Sequence, residues 1–98
     1  MTLRFTGSAE ADVDRVLSWY HERGHDLADH FLLALEQCLD SIQANPQAFP
    51  VVHRDIRRAL LRRFPYCVFY IISDKQIVVL ACLHGHRDPN VWQERHHA

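Results

Sequence analysis

The run Ile77-Val78-Val79-Leu80-Ala81-Cys82-Leu83 decides the fold. It is dense in β-branched residues and apolar on both faces, so it predicts a strand inside a sheet with cover on both sides. Cys67–Ile72, just upstream, has the same character. Ser73-Asp74-Lys75-Gln76 between the two predicts a hairpin turn. Before that pair, Ile56–Phe64 is rich in arginine but contains Ala59, Leu60 and Leu61, which predicts a third strand. Gln47–Asp55, punctuated by Pro46 and Pro50, predicts a loop.

Upstream of the loop the period changes from 2 to 3.6. Ala28, Phe31, Leu32, Leu35, Leu39 and Ile42 keep helical spacing until Asn45-Pro46, where the residue before proline leaves the α region. Val13, Val16, Leu17 and Tyr20 form a shorter stripe that stops at Gly24. Ser8 is the expected N-cap of this helix, with Glu10 and Asp12 in its first turn. Only Gly24-His25 separates the two helices, so they must turn back as an antiparallel hairpin. Thr2–Thr6 alternates and predicts a short N-terminal strand. The expected fold is α+β: a strand, then a helical hairpin packed on one face of a small, largely antiparallel sheet.

At 98 residues the chain is expected to be a single domain, 1–98. The composition, 48% apolar and 23% charged, excludes a disordered tail or a fibre. No apolar run approaches the ~18 residues of a membrane span, and the start lacks a signal-peptide pattern. The expected location is therefore the cytoplasm, with no membrane partner. Cys38, Cys67 and Cys82 lie inside apolar patterns, with no Cys-x-x-Cys, and are expected to be core thiols.

The net charge of −1 conceals a division. Residues 1–45 hold eight acids against three arginines, and residues 46–98 hold four acids against eight bases. Arg54, Arg57, Arg58, Arg62 and Arg63 cluster in the basic half. The arginine fork suits phosphate or carboxylate, so this cluster predicts an acidic partner, nucleic acid or protein, unless it is a solvated strand face. Trp19, Tyr20, Tyr70 and Trp92 either form an apolar docking patch or complete the core.

Two stretches carry a resemblance: Arg57-Arg58-Ala59-Leu60-Leu61-Arg62-Arg63-Phe64-Pro65-Tyr66, and Val79 through His84-Gly85-His86-Arg87-Asp88-Pro89-Asn90-Val91-Trp92. Arg58 to Phe64-Pro65-Tyr66, and His84-x-x-Arg87-Asp88-Pro89-x-x-Trp92, resemble the signatures of the ParE/RelE family of toxins, in its ParE-like branch. That resemblance implies a toxin of a type II toxin–antitoxin system, poisoning DNA gyrase by binding. It also implies a cognate antitoxin whose disordered C-terminal segment folds onto the toxin. On this reading Arg54, Arg57, Arg58, Arg62, Arg63, Arg87 and Trp92 form the surface for target or antitoxin, Arg and Trp being common interface hot spots. Pro65 is expected to fix the start of the next strand.

The RelE-like alternative is a ribosome-dependent endoribonuclease acting on messenger RNA. Arg58, Arg63 and Arg87 would hold the phosphate, and His84 would exchange the proton. The family's late tyrosine has no counterpart here, since Leu83-His84-Gly85-His86 stands in its place. A third reading is a non-toxic member that survives in an autoregulatory complex. His84-x-His86 with Asp88, and His96-His97, invite a metal. A structural site wants four ligands and the terminal pair is expected to fray, so no metal and no cofactor are expected.

Overall fold

The computed structural model describes residues 1–96. Strand β1 (Thr2–Phe5) is followed by the helices α1 (Gly7–Arg23) and α2 (His25–Ala44). Four strands come next, β2 (Val51–His53), β3 (Ile56–Leu60), β4 (Tyr66–Ser73) and β5 (Gln76–His84), and then the short helix α3 (Pro89–Gln93). The strands make one sheet in the order β1-β5-β4-β3-β2, with β1 parallel to β5 and every other pair antiparallel. The α+β expectation holds, and the apolar run lies inside the sheet as β5. β2 falls within the stretch expected to be loop; three residues are too short to show an alternation.

Local chemistry sets the helix ends. Thr6, not Ser8, caps α1: its Oγ1 accepts from the Ala9 N–H at 3.2 Å, and Ser8 lies inside the helix. Asp12 therefore falls in the second turn and faces inward. Gly24 alone joins the helices at φ +156°, a conformation that side-chain-bearing residues rarely adopt. Asn45-Pro46 ends α2 as expected, and the Tyr70 hydroxyl fastens that end by donating to the Pro46 carbonyl at 2.6 Å. The β4–β5 turn has positive φ at Asp74 (51°) and Lys75 (62°), as a two-residue hairpin whose twist matches its strands requires.

Two cores result, one on each face of the sheet. Val16, Phe31, Leu35, Cys38 and Ile42 of the hairpin pack on Val68, Tyr70, Ile77, Val79 and Cys82. On the opposite face Ile56, Phe69, Ile71, Val78, Leu80 and Leu83 are closed over by Trp92 from α3. A bulge makes this double coverage possible. Phe69 pairs with Ala81 and Tyr70 with Val79, so Leu80 is the extra residue. Alternation resets there: Val79 and Cys82 face the helices, whereas Leu80 and Ala81 both face the second core.

The three thiols are free and buried, as expected. Burial pushes Cys82 up to about 12, with the Asp12 carboxylate adding to the shift, and Cys38 up to about 11. Unfolded thiols ionise nearer 9, so on raising the pH the unfolded chain sheds these protons first. Their contribution to stability is whole below pH 9 and is lost as the pH climbs toward 12. The urea midpoint is expected to fall steadily across that window. A thiol reagent at pH 8 should leave the folded chain unmodified and label all three cysteines once it is denatured.

Candidate functional site

The residues expected to form one cationic surface are spread over several. Arg57 faces the hairpin side, where its guanidinium donates to the carbonyls of Gln47 (3.0 Å) and Phe49 (2.7 Å) and pins the α2–β2 loop. Arg58, next along β3, points the other way. It lies near Cys67 of the second core, partly offsetting the upward push of burial on that thiol. β3 ends at Leu60 rather than Phe64, so Arg62 and Arg63 sit in the β3–β4 loop, with Arg63 at φ +67°. Arg54 occupies the β2–β3 turn at φ +52° and lines a shallow cleft with His53, Asn90 and His96. One strand cannot present Arg57 and Arg58 to the same partner, because its side chains alternate between faces.

Trp92, expected at the docking surface, is buried. Only 6% exposed, it stacks on Phe69 with ring centroids 4.3 Å apart and planes 15° apart. Tyr70 is likewise in the core, Tyr20 is half-buried, and Trp19 is exposed with the Arg23 guanidinium 3.5 Å over its ring. Of the four aromatics, only Trp19 offers much of its surface to a partner. Phe64 and Tyr66 pack edge-on around Phe31 and Tyr20, which gives the Phe64-Pro65-Tyr66 motif a structural role.

His84 and Arg87 share a cleft of about 210 Å³ with Arg15, Trp19 and Tyr66, whereas Arg58 and Arg63 lie elsewhere. Of the four residues of the ribonuclease alternative, His84 and Arg87 thus line one cleft, Arg63 lines the groove along α2, and Arg58 neighbours Cys67. His84 is also committed in its hydrogen bonding. Its Nδ1 accepts from the His86 N–H at 3.0 Å, which places the proton of the neutral ring on Nε2. In that tautomer the ring offers a donor rather than an acceptor at Nε2. His84 and His86 rings lie 5.5 Å apart, and among the described residues no three His, Cys, Asp or Glu side chains converge on a metal. His97, read together with His96, lies outside the described residues.

Beneath this cleft lies a group that pattern reading missed. Asp12, 1% exposed, accepts from Arg95 through both oxygens (2.6 and 3.2 Å) and from the Cys82 backbone N–H (3.0 Å), and also pairs with Arg15. Arg95 further donates to the Leu80 carbonyl at the bulge, at 3.0 Å. One residue past β1, the Thr6 N–H donates to the Val79 carbonyl, and beyond that point these side chains satisfy the edge of β5. The available signal was Asp12 itself: with Ala9 three residues before and Val16 four after, it lies on the buried stripe of α1.

A groove runs along the outer side of α2. Leu27, His30, Leu33, Ala34 and Gln37 form one wall, and Arg62, Arg63 and Phe64 of the β3–β4 loop form the other, enclosing about 900 Å³. It continues past Ala34, Gln37 and Arg62 into a stretch of about 500 Å³ lined by Cys38, Ser41, Phe49 and Leu60. Leu33 is 53% exposed and Leu60 65%, so apolar surface is left open beside two arginines. Leu27, Ala34, Gln37 and Ser41 fall at i, i+7, i+10 and i+14, a second helical stripe that is legible in the sequence.

Comparison with known proteins agrees with this architecture. A family model described as the ParE toxin of the type II toxin–antitoxin system parDE matches residues 3–89. "Toxin ParE2" of two Mycobacterium tuberculosis strains is 32% identical over 89 residues, covering 90% of this chain and 85% of the relative. A solved structure titled "Chromosomal ParDE TA system from P. aeruginosa" superposes with a TM-score of 0.74 at 25% identity, over 86% of this chain and 95% of the other. The family model, the curated relatives and the fold agree, and the chain belongs to the ParE toxin family of type II toxin–antitoxin systems.

Proposed function

We propose that this chain is a cytoplasmic toxin that acts by binding DNA gyrase, and that a cognate antitoxin silences it through an acidic, amphipathic segment seated in the groove along α2. The groove is the observation that carries the antitoxin half of this reading. It sets exposed leucines of α2 opposite Arg62 and Arg63, which suits a segment that is apolar on one side and acidic on the other. Binding rather than cleavage is supported by the placing of Arg63 and Arg87 in different clefts and by the hydrogen bond that His84 Nδ1 accepts from the His86 N–H. Gyrase is the target that the resemblance to the ParE-like branch implies.

The test is expression of the lone chain in bacteria, with plasmid topology and total messenger RNA followed together. Growth arrest with lost supercoiling or double-strand breaks, and intact transcripts, is the expected result. Cleaved transcripts with normal topology would overturn it in favour of ribosome-dependent cleavage, and no arrest would favour the non-toxic partner. The double variant R62E/R63E is expected to stay toxic while binding the co-encoded antitoxin at least about tenfold more weakly, mainly through a slower on-rate that has lost its salt dependence.

A further inference from the structure

Two histidines face each other where α1 turns into α2. His21 lies in the last turn of α1 and His25 opens α2, four residues apart across Gly24. Both are exposed; their rings meet edge-on with centroids 4.2 Å apart, and their Nδ1 atoms stand 3.2 Å apart. Among the described residues neither ring meets a third ring or an acid, and no third ligating side chain completes a cluster.

We infer that His21 and His25 form a two-imidazole chelate for one divalent transition-metal ion, with water filling its remaining positions. The spacing carries the inference. At a metal–nitrogen distance of ~2.1 Å, two ligands are ~3.0 Å apart at a right angle and ~3.4 Å apart at the tetrahedral angle. The observed 3.2 Å falls between these, so an ion can be taken up with little movement of either helix. Sequence spacing drew attention to His84-x-His86 instead, but there the Nδ1 of His84 is already occupied by a backbone N–H. The open chelate differs from a closed structural zinc site, and imidazole donors favour Cu²⁺, then Ni²⁺ or Zn²⁺, over Mg²⁺ or Ca²⁺. A bound ion would tie the end of α1 to the start of α2 across a single glycine, adding stability by mass action. This inference is independent of the proposed target and antitoxin.

The probe is CuCl₂ added to the full, untagged chain, read by calorimetry and by nitrogen hyperfine structure in the copper EPR spectrum. The expected result is one ion per chain in its tightest site, carrying two imidazole nitrogens. H21A and H25A should each lower that affinity at least about tenfold, because outer-shell changes alone commonly cost that much. H84A/H86A should leave it unchanged, and NiCl₂ but not MgCl₂ should raise the melting temperature of the parent but not of H21A. Binding that survives H21A, follows His84 and His86, or shows a single imidazole would overturn the assignment. Absence of binding would overturn it too, reducing the pair to an N–H···N hydrogen bond.

Discussion

Replacing Asp12 by alanine is expected to remove about 3–5 kcal/mol of folding stability, the usual cost of breaking a buried pair by deleting one partner. The variant strands Arg95, whose side chain is 19% exposed, and leaves the Cys82 N–H without its acceptor. A domain of this size has a total stability of about 5–15 kcal/mol, so D12A removes a large share of it. The melting temperature should drop by roughly 4–8 °C per kcal/mol. R95M is expected to cost less, because Asp12 keeps Arg15 and the Cys82 N–H. Urea denaturation of D12A, R95M and the double variant checks this. Strict additivity of the two single effects, or a D12A loss below about 1 kcal/mol, would show that the ion cluster does not hold the tail to the sheet.

Trp92→Ala is expected to cost about 3–5 kcal/mol, the range for truncating a large buried aromatic. The stack on Phe69 is lost, and Ile56, Leu80 and Phe69, all buried beneath α3, gain access to water. Any loss of toxicity in W92A therefore has a structural source, and W92F separates the two roles. It keeps an aromatic ring on Phe69 and should retain most of the stability and the toxicity. If W92A lost activity with an unchanged melting temperature, the tail would instead be acting as a docking surface.

Asp12–Arg95 joins the two ends of the chain, and Trp92–Phe69 joins the C-terminal end to the middle of the sheet. Trp92 was legible as a residue that either docks a partner or completes the core, and only the fold decides for the core. Its partner Phe69 lies on another strand, and the face they share exists only because α3 folds back over the sheet. The arginines were legible as a cluster in number, not as a surface. Strand alternation parts Arg57 from Arg58, and the early end of β3 moves Arg62 and Arg63 to the rim of the α2 groove. The groove itself had a signal in the second stripe of α2, which its stronger first stripe masks.

Most of what depends on near neighbours along the chain is legible in the sequence. The helical hairpin and its stops at Gly24 and Asn45-Pro46 follow from local backbone preference. So does the β4–β5 turn at Asp74-Lys75. The doubly apolar β5 follows from a burial demand written in seven consecutive residues. Tertiary structure decided the rest: the parallel pairing of β1 with β5, the bulge at Leu80, and the Asp12–Arg95 pair, whose partners are 83 residues apart. The last of these arises where the edge of β5 runs out of backbone partners, and which distant side chain supplies the missing hydrogen bonds is settled only when the chain ends meet.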